Sequence, residues 1–443
     1  MTAALPGPRG RWLLGTLSDF QRDQLGFYVE CARYGDVVAT RLGPRRAMLF
    51  YHPDAIEEVL VTRSRDFVKS PGVKLLRPLL GEGLLLSEHD FWLRQRRLVQ
   101  PAFHRQRVAA YGDVMTAYAE RQLDEWNEGD VRDVHVEMMA LTQAIVAKTL
   151  FDAEVSDEAH EVGNATRVLM QDFGSRIGSL WQLIPSWLPT PANLRSRRAI
   201  KRLDRVVYRM IAARRRNGED HGDLLSILLH AQDAADGTRM SDRQVRDEVM
   251  TLFMAGHETT AVALSWTWYL LAQHPEVDAR LAEELSTVLG SRVPTAADLP
   301  QLKYTEMVVT ETMRLYPPAY AMGRMSTVPT EIAGHPLAAG VVAILPTWVV
   351  QRDPRWFDEP EAFRPERWED ERTRGNPRYA YFPFGGGPRQ CIGNAFAMME
   401  AILILAAIAQ RFRLTLEPGQ RITPTPYVTL RPEPGVRMRL SRR

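Results

Sequence analysis

From Ser241 to Gln273 the chain runs without proline and with a single glycine, Gly256, until His274-Pro275 stops it. Ser241 is a candidate N-cap, so the stretch predicts one long helix. Its second half, "AVALSWTWYLLA" at 261–272, is apolar almost all round. A helix of that kind is stable in water only when other elements surround it, so this one must be central. Helical periodicity dominates from about residue 87 to 315, and a last apolar helix is expected over about 393–410.

The ends read differently. "DVVATRLGPRRAMLFY" (36–51) has two β-rich runs around a Gly-Pro turn and predicts a hairpin. After residue 315 the chain becomes rich in Pro and Gly, with short apolar pieces such as "VVAILPTWVV" (341–350). No solenoid repeat or low-complexity tract breaks it. The expectation is a mostly α fold with small β-sheets, in a single domain over 1–443. Its β-rich edge covers about 36–70 and 320–350, and its helical core about 87–315.

Composition excludes some functions. The 56 basic and 54 acidic residues leave a net charge of +2, which argues against a nucleic-acid binder. Two cysteines, Cys31 and Cys391, cannot build a disulfide framework and suit a reducing compartment. The N-terminal "MTAALPGPRGRWLLGTL" has no sustained apolar run, and "AILILAAIA" (401–409) is too short to span a bilayer. A cytoplasmic protein without a membrane anchor is expected.

The chemistry concentrates in "FPFGGGPRQCIGNAFAMMEA" (382–401), where three glycines and a proline precede Cys391 at the start of an apolar helix. The glycines let backbone approach a flat partner, and the helix N-terminus favours a thiolate. Such a thiolate is a metal ligand or a nucleophile. No second Cys or nearby His completes a zinc site, whereas a haem iron asks the protein for one ligand. A second segment, "FMAGHETTAV" (253–262), opens like a His-Glu-x-x-His zinc helix, but Ala261 stands where the second His would be.

Phe384, Gly387, Cys391 and Gly393 form an F-x-x-G-x-x-x-C-x-G pattern that resembles the haem-binding signature of the cytochrome P-450 family. The resemblance runs from "LPGPRGRWLLGTL" to "LRPEPGVRMRL" and implies that fold, with the loop 382–393 carrying haem b (iron protoporphyrin IX) on Cys391. Glu311 and Arg314 of "ETMR", with Arg367 of "FRPERW", match the family's buried charge triad, a structural role. Trp92, Arg96, Arg324 and Arg389 are implied as the clamp on the two haem propionates, which guanidinium groups suit. "AGHETT" resembles the family's oxygen-binding segment. Its important residues are Ala255, Gly256, Glu258 and Thr259: the face shared by Ala255 and Thr259 would leave a groove for dioxygen, with Thr259 bonding back to the carbonyl four residues earlier, and Glu258 and Thr259 would relay protons. Gln351 departs from the His that many members carry.

The resemblance implies a haem-thiolate monooxygenase that places one atom of dioxygen in a lipophilic molecule. Electrons from NAD(P)H would arrive through a separate ferredoxin or flavodoxin with its reductase, and the expected state is a monomer. Segments 71–86, 169–189, 317–322 and 423–430 would line the substrate pocket, and Arg94, Arg97, Arg105, Arg107, Arg374 and Arg378 would receive the donor. A haem-thiolate sensor or a peroxide-driven peroxygenase are the alternatives, and the Glu258-Thr259 pair counts against the peroxygenase.

Overall fold

The computed structural model describes residues 5–152, 187–217, 223–232 and 237–443, with scattered positions between 165 and 176. Six helices position the site: α1 (His89–Val99), α2 (Val134–Phe151), α3 (Pro191–Asn217), α4 (Asp242–Gln273), α5 (Lys303–Leu315) and α6 (Asn394–Arg411). The long helix starts where its cap chemistry dictates. Ser241 Oγ accepts from Gln244 N (3.3 Å) while the Gln244 side chain accepts from Ser241 N (2.8 Å), closing a capping box that satisfies two otherwise unpaired donors. It ends at His274, and Pro275 opens the next helix.

α4 packs against α2, α3, α5 and α6, which explains why its second half needs no polar face. The same holds for α6. It is long and apolar enough to cross a membrane, yet Ala401–Ala409 are buried without exception inside the larger of two hydrophobic cores.

The second core lies under a five-stranded sheet of β1 (Val37–Leu42), β2 (Arg45–Phe50), β3 (Phe67–Lys69), β4 (Met322–Ser326) and β5 (Val342–Leu345), in the order β1-β2-β5-β4-β3. β1 and β2 form the hairpin expected from the sequence, with Gly43 at φ +61° supplying the left-handed turn residue. β2 runs parallel to β5, and β4 pairs antiparallel with both β5 and β3. Chain separated by more than 250 residues is thereby joined, and Lys69 is placed opposite Arg324. A smaller ladder, β6 (Thr423–Pro426) with β7 (Leu430–Glu433), lies against α4, where Trp266 Nε1 donates to Leu430 O (2.8 Å). Alternating Thr and Pro gave no strand signal there. Tyr316 joins the two cores, stacking on Trp266 at 4.1 Å.

Candidate active site

Cys391 sits at the end of a loop folded on itself. Its N–H donates to Phe384 O (3.0 Å), Gly385 N donates to Phe382 O (2.9 Å), and Gly387–Arg389 make a tight turn. Gly387 has φ +63°, and a Cβ there would lie 2.0 Å from Leu60 O, so the loop rests on the Glu58–Thr62 turn only because glycine occupies this position. Gly393 caps the start of α6. The Cys391 side chain is accessible, although the surrounding protein desolvates the thiol and raises its pKa. The Gly393 N–H, Arg96 and Lys69 act in the opposite direction. Cys31 is buried, and desolvation pushes its thiol up to about 12. Of the two, only Cys391 can meet a ligand.

Beside this loop lies a cluster of partly buried cations. Arg96 Nη1 donates to Gln390 O (2.9 Å), Arg389 lies over the ring of Trp92 (4.2 Å) and donates to Ser87 O (2.7 Å), and Arg324 has, among the described residues, a single hydrogen bond, to Gly323 O (3.1 Å). The fourth cation is Lys69, which sequence reasoning missed. No local pattern marks it, and only the pairing of β3 with β4 brings it here. Glu88 is the one carboxylate among them, bonded to Arg389 and to Lys69 N. Burial lowers the pKa of Lys69, Arg96, Arg324 and Arg389, the last to about 10. Four cations around one carboxylate leave an excess of three, which two further carboxylates and the Cys391 thiolate would balance. The residues therefore fit a haem: one accessible sulfur for the iron and an unbalanced cationic cluster for the propionates.

The triad is closed instead. Glu311, Arg314 and Arg367 are all fully buried. Glu311 accepts from Arg314 Nε (2.9 Å) and Nη2 (2.8 Å), Arg367 Nε (2.8 Å), Trp368 Nε1 (3.1 Å) and Arg364 N (3.1 Å). The remaining guanidinium donors reach the carbonyls of Gln351, Asp358, Glu359, Pro360 and Ala362. Gln351 completes the connection to the cysteine loop. Its amide donates to Met313 O (2.9 Å) and Arg314 O (3.1 Å), and its Oε1 accepts from Phe382 N (3.0 Å).

Between Val245 and Trp268 of α4, burial is interrupted at one place. Ala255 is exposed and Gly256 and Thr259 are partly exposed, while Leu252–Met254 before them and Ala261–Trp268 after them are buried. Thr259 Oγ1 donates to Ala255 O (2.8 Å), the backward bond that loosens a helix. Gly256 serves packing. A Cβ there would meet Val146 Cγ2 at 3.1 Å, so the glycine allows α2 to approach. Glu258 is buried and held through Oε1 by the Thr429 hydroxyl (2.6 Å) and by Arg431 Nη2 (2.8 Å) and Nε (3.0 Å). No signal in the sequence linked Arg431 to it. His257 is buried on another face, its Nδ1 bonded to Phe253 O (2.7 Å), and burial lowers its pKa. Nearby His135 is lowered to about 4 by burial and by Arg431, so it is neutral at pH 7.

Contacts join three of the expected pocket segments; most of 169–189 lies outside the described residues. Tyr320 Oη donates to Tyr427 O (2.8 Å), and Gly174 faces the Tyr427 ring so closely that a Cβ would lie 2.4 Å from it. Glu82 N and Leu84 N of segment 71–86 donate to Asp247 and Glu248 of α4, each at 3.0 Å. Of the expected docking arginines, Arg97, Arg374 and Arg378 are exposed, Arg94 donates to Thr238 (2.6 Å), and the Arg105 side chain lies outside the described residues.

A loop that offers one sulfur beside an unbalanced cationic cluster, together with a long helix opened at Ala255 and Thr259, is the constellation of a haem-thiolate protein. The chain matches the Cytochrome P450 family over residues 5–438, and it belongs to that family. It is a cytochrome P450 monooxygenase. It is 40% identical to cyclooctatin synthase of Streptomyces melanosporofaciens, over 96% of this chain and 92% of that one. Cyclooctat-9-en-7-ol 5-monooxygenase of the same organism is 39% identical over 92% and 88%, and pentalenene oxygenase of Streptomyces avermitilis is 36% identical over 97% and 96%.

Proposed function

We propose that this single-domain enzyme binds haem b on Cys391 and oxidises a terpenoid or similarly apolar hydrocarbon skeleton, with electrons delivered from NAD(P)H by a separate ferredoxin and its reductase in the cytoplasm. The haem, when bound, supplies the activation of dioxygen. Lys69, Arg96, Arg324 and Arg389 would hold its propionates, and Trp92 supports Arg389. Thr259 keeps its hydroxyl at the open face of α4 by donating to Ala255 O, so its oxygen lone pairs are free to accept from an incoming donor. Glu258 would pass protons inward. Its three contacts all converge on Oε1, which leaves Oε2 without a hydrogen bond to a described residue. Arg431 and Thr429 fix that orientation.

The opening of an otherwise buried α4 at Ala255 and Thr259 carries the reading. The substrate class is supported by the names of the relatives and by the aromatic lining at Tyr320 and Tyr427. Exposed Arg97, Arg374 and Arg378 support an acidic donor. The test is reconstitution with ferredoxin, reductase and NAD(P)H on terpenoids selected by the shift they cause in the haem spectrum. Thr259→Ala is expected to keep substrate binding and NAD(P)H consumption while product per NAD(P)H falls by about 10²–10⁴-fold and hydrogen peroxide rises. His257→Ala is expected to leave that ratio unchanged. A fully coupled Thr259→Ala enzyme would contradict the relay.

A further inference from the structure

Glu88 occupies the N-cap position of α1, yet its side chain accepts no hydrogen bond from the helix. An N-cap side chain ordinarily takes the N–H of the second or third helical residue, where the positive end of the helix dipole also favours a carboxylate. Here it turns away. Oε1 accepts from Lys69 N of β3 (2.6 Å) and Oε2 from Arg389 Nη2, while Arg389 Nη1 donates to Ser87 O (2.7 Å). The turn that permits this is strained, since His89 sits at φ +51° although it is not glycine. An uncapped helix start and a left-handed histidine both oppose folding, so the needs of α1 do not explain where the carboxylate goes.

Its position has an electrostatic consequence. The Glu88 and Arg389 side chains are only 15% and 14% exposed, so water and salt screen their charges poorly. Burial lowers the pKa of Lys69, Arg324 and Arg389, and among the described residues Glu88 is the one carboxylate that opposes this in all three. It also separates the two arginines. Both terminal nitrogens of Arg389 are taken, by Ser87 O and Glu88, whereas Arg324 bonds only Gly323 O among the described residues.

We propose that Glu88 sets the reduction potential of the haem, a role that rests on the haem-thiolate reading above. In the one-electron step the reduced donor is oxidised and ferric haem becomes ferrous, so one more negative charge arrives at the site. A fixed carboxylate within the propionate-binding cluster opposes that arrival and holds the potential low. Glu88 also competes with a propionate for Arg389, so the same residue loosens the haem. It acts through the cations and is a positioning residue, not a catalytic one.

The test compares the haem-loaded wild type with Glu88→Gln and Glu88→Asp in three ways: dithionite titration with redox dyes, haem transfer to excess apomyoglobin, and urea unfolding of the haem-stripped chain. Glu88→Gln keeps an oxygen for Lys69 N and removes the charge. Its ferrous-to-ferric ratio at a given solution potential should rise about tenfold, equivalent to about 59 mV for one electron. Its haem should leave no faster than from the wild type, because Arg389 is released to a propionate. The stripped variant should unfold at lower urea, because the four cations then have no carboxylate among them. Glu88→Asp should keep the wild-type potential. Glu88→Ser removes the same charge and gives α1 a preferred cap, so it should raise the potential as Gln does and carries the test if Glu88→Gln fails to load haem. Glu30→Gln, at an exposed carboxylate outside the cluster, should change nothing. A side chain that merely tied Ser87 to Arg389 would give the reverse pattern, faster haem loss from Glu88→Gln at an unchanged potential, and that result would overturn the proposal. A wild type whose reduced, CO-bound form lacked the red-shifted Soret band would instead overturn the haem-thiolate reading, and this proposal with it.

Discussion

Two buried charge clusters flank the cysteine loop, and they are built on opposite principles. In the triad, Glu311 lies between Arg314 and Arg367, and the donors left over reach backbone carbonyls. In the other cluster, Lys69, Arg96, Arg324 and Arg389 share one carboxylate, and Arg324 has only its neighbour's carbonyl. Burial of charge that is not fully paired costs several kcal/mol, so a protein that gathers four basic groups around one carboxylate keeps them for something. The difference separates structure from binding. A closed network holds the loop, and an open one is completed by an anionic ligand.

The contrast can be broken by removing charge from each cluster. Glu311→Gln leaves two fully buried guanidinium groups without a carboxylate and should cost about 3–5 kcal/mol, enough to abolish folding or lower the melting temperature sharply by circular dichroism. A buried acid sharpens it. Glu400 of α6 is fully buried, faces the Thr260 side chain and has no ion-pair partner among the described residues, and burial raises it to about 8. The folded protein then holds a proton that the unfolded chain releases above its ordinary pKa of 4.5. The stability contributed is complete below that value and is lost as pH rises through about 8, an effect on the order of a few kcal/mol. Glu400→Gln should flatten the fall in urea midpoint between those pH values. Glu248, raised to about 8 by the same cause, supplies the slope that remains. A smaller effect is expected at the connector: Gln351→Leu strands the Phe382 N–H and should cost about 1–3 kcal/mol in the same melting experiment.

Local motifs made much of this legible. Cys391 with its glycines, the Glu311–Arg314 spacing and the Ser241 cap are set by a few adjacent residues, and each appears in the structure where the sequence placed it. Lys69, Glu88 and Arg431 were not legible, because what they do depends on strands and helices brought together from distant parts of the chain. The packing role of Gly256 was not legible for a related reason: only the position of Val146 shows that the glycine accommodates a helix. Gln351, the departure from the usual His, has a structural role: it bridges α5 to the cysteine loop.

The most direct test of the contrast is Arg324→Met, followed in two ways: the rate at which haem leaves for excess apomyoglobin, and the urea unfolding of the haem-stripped protein. An open cluster predicts that haem leaves about 10–100-fold faster, the equivalent of one lost charge-assisted hydrogen bond, while the stripped protein is as stable as the wild type or more so, since a buried unpaired cation has gone. If haem retention were unchanged and the stripped protein lost several kcal/mol, as expected for a member of the triad, the assignment of this cluster to the haem would be contradicted.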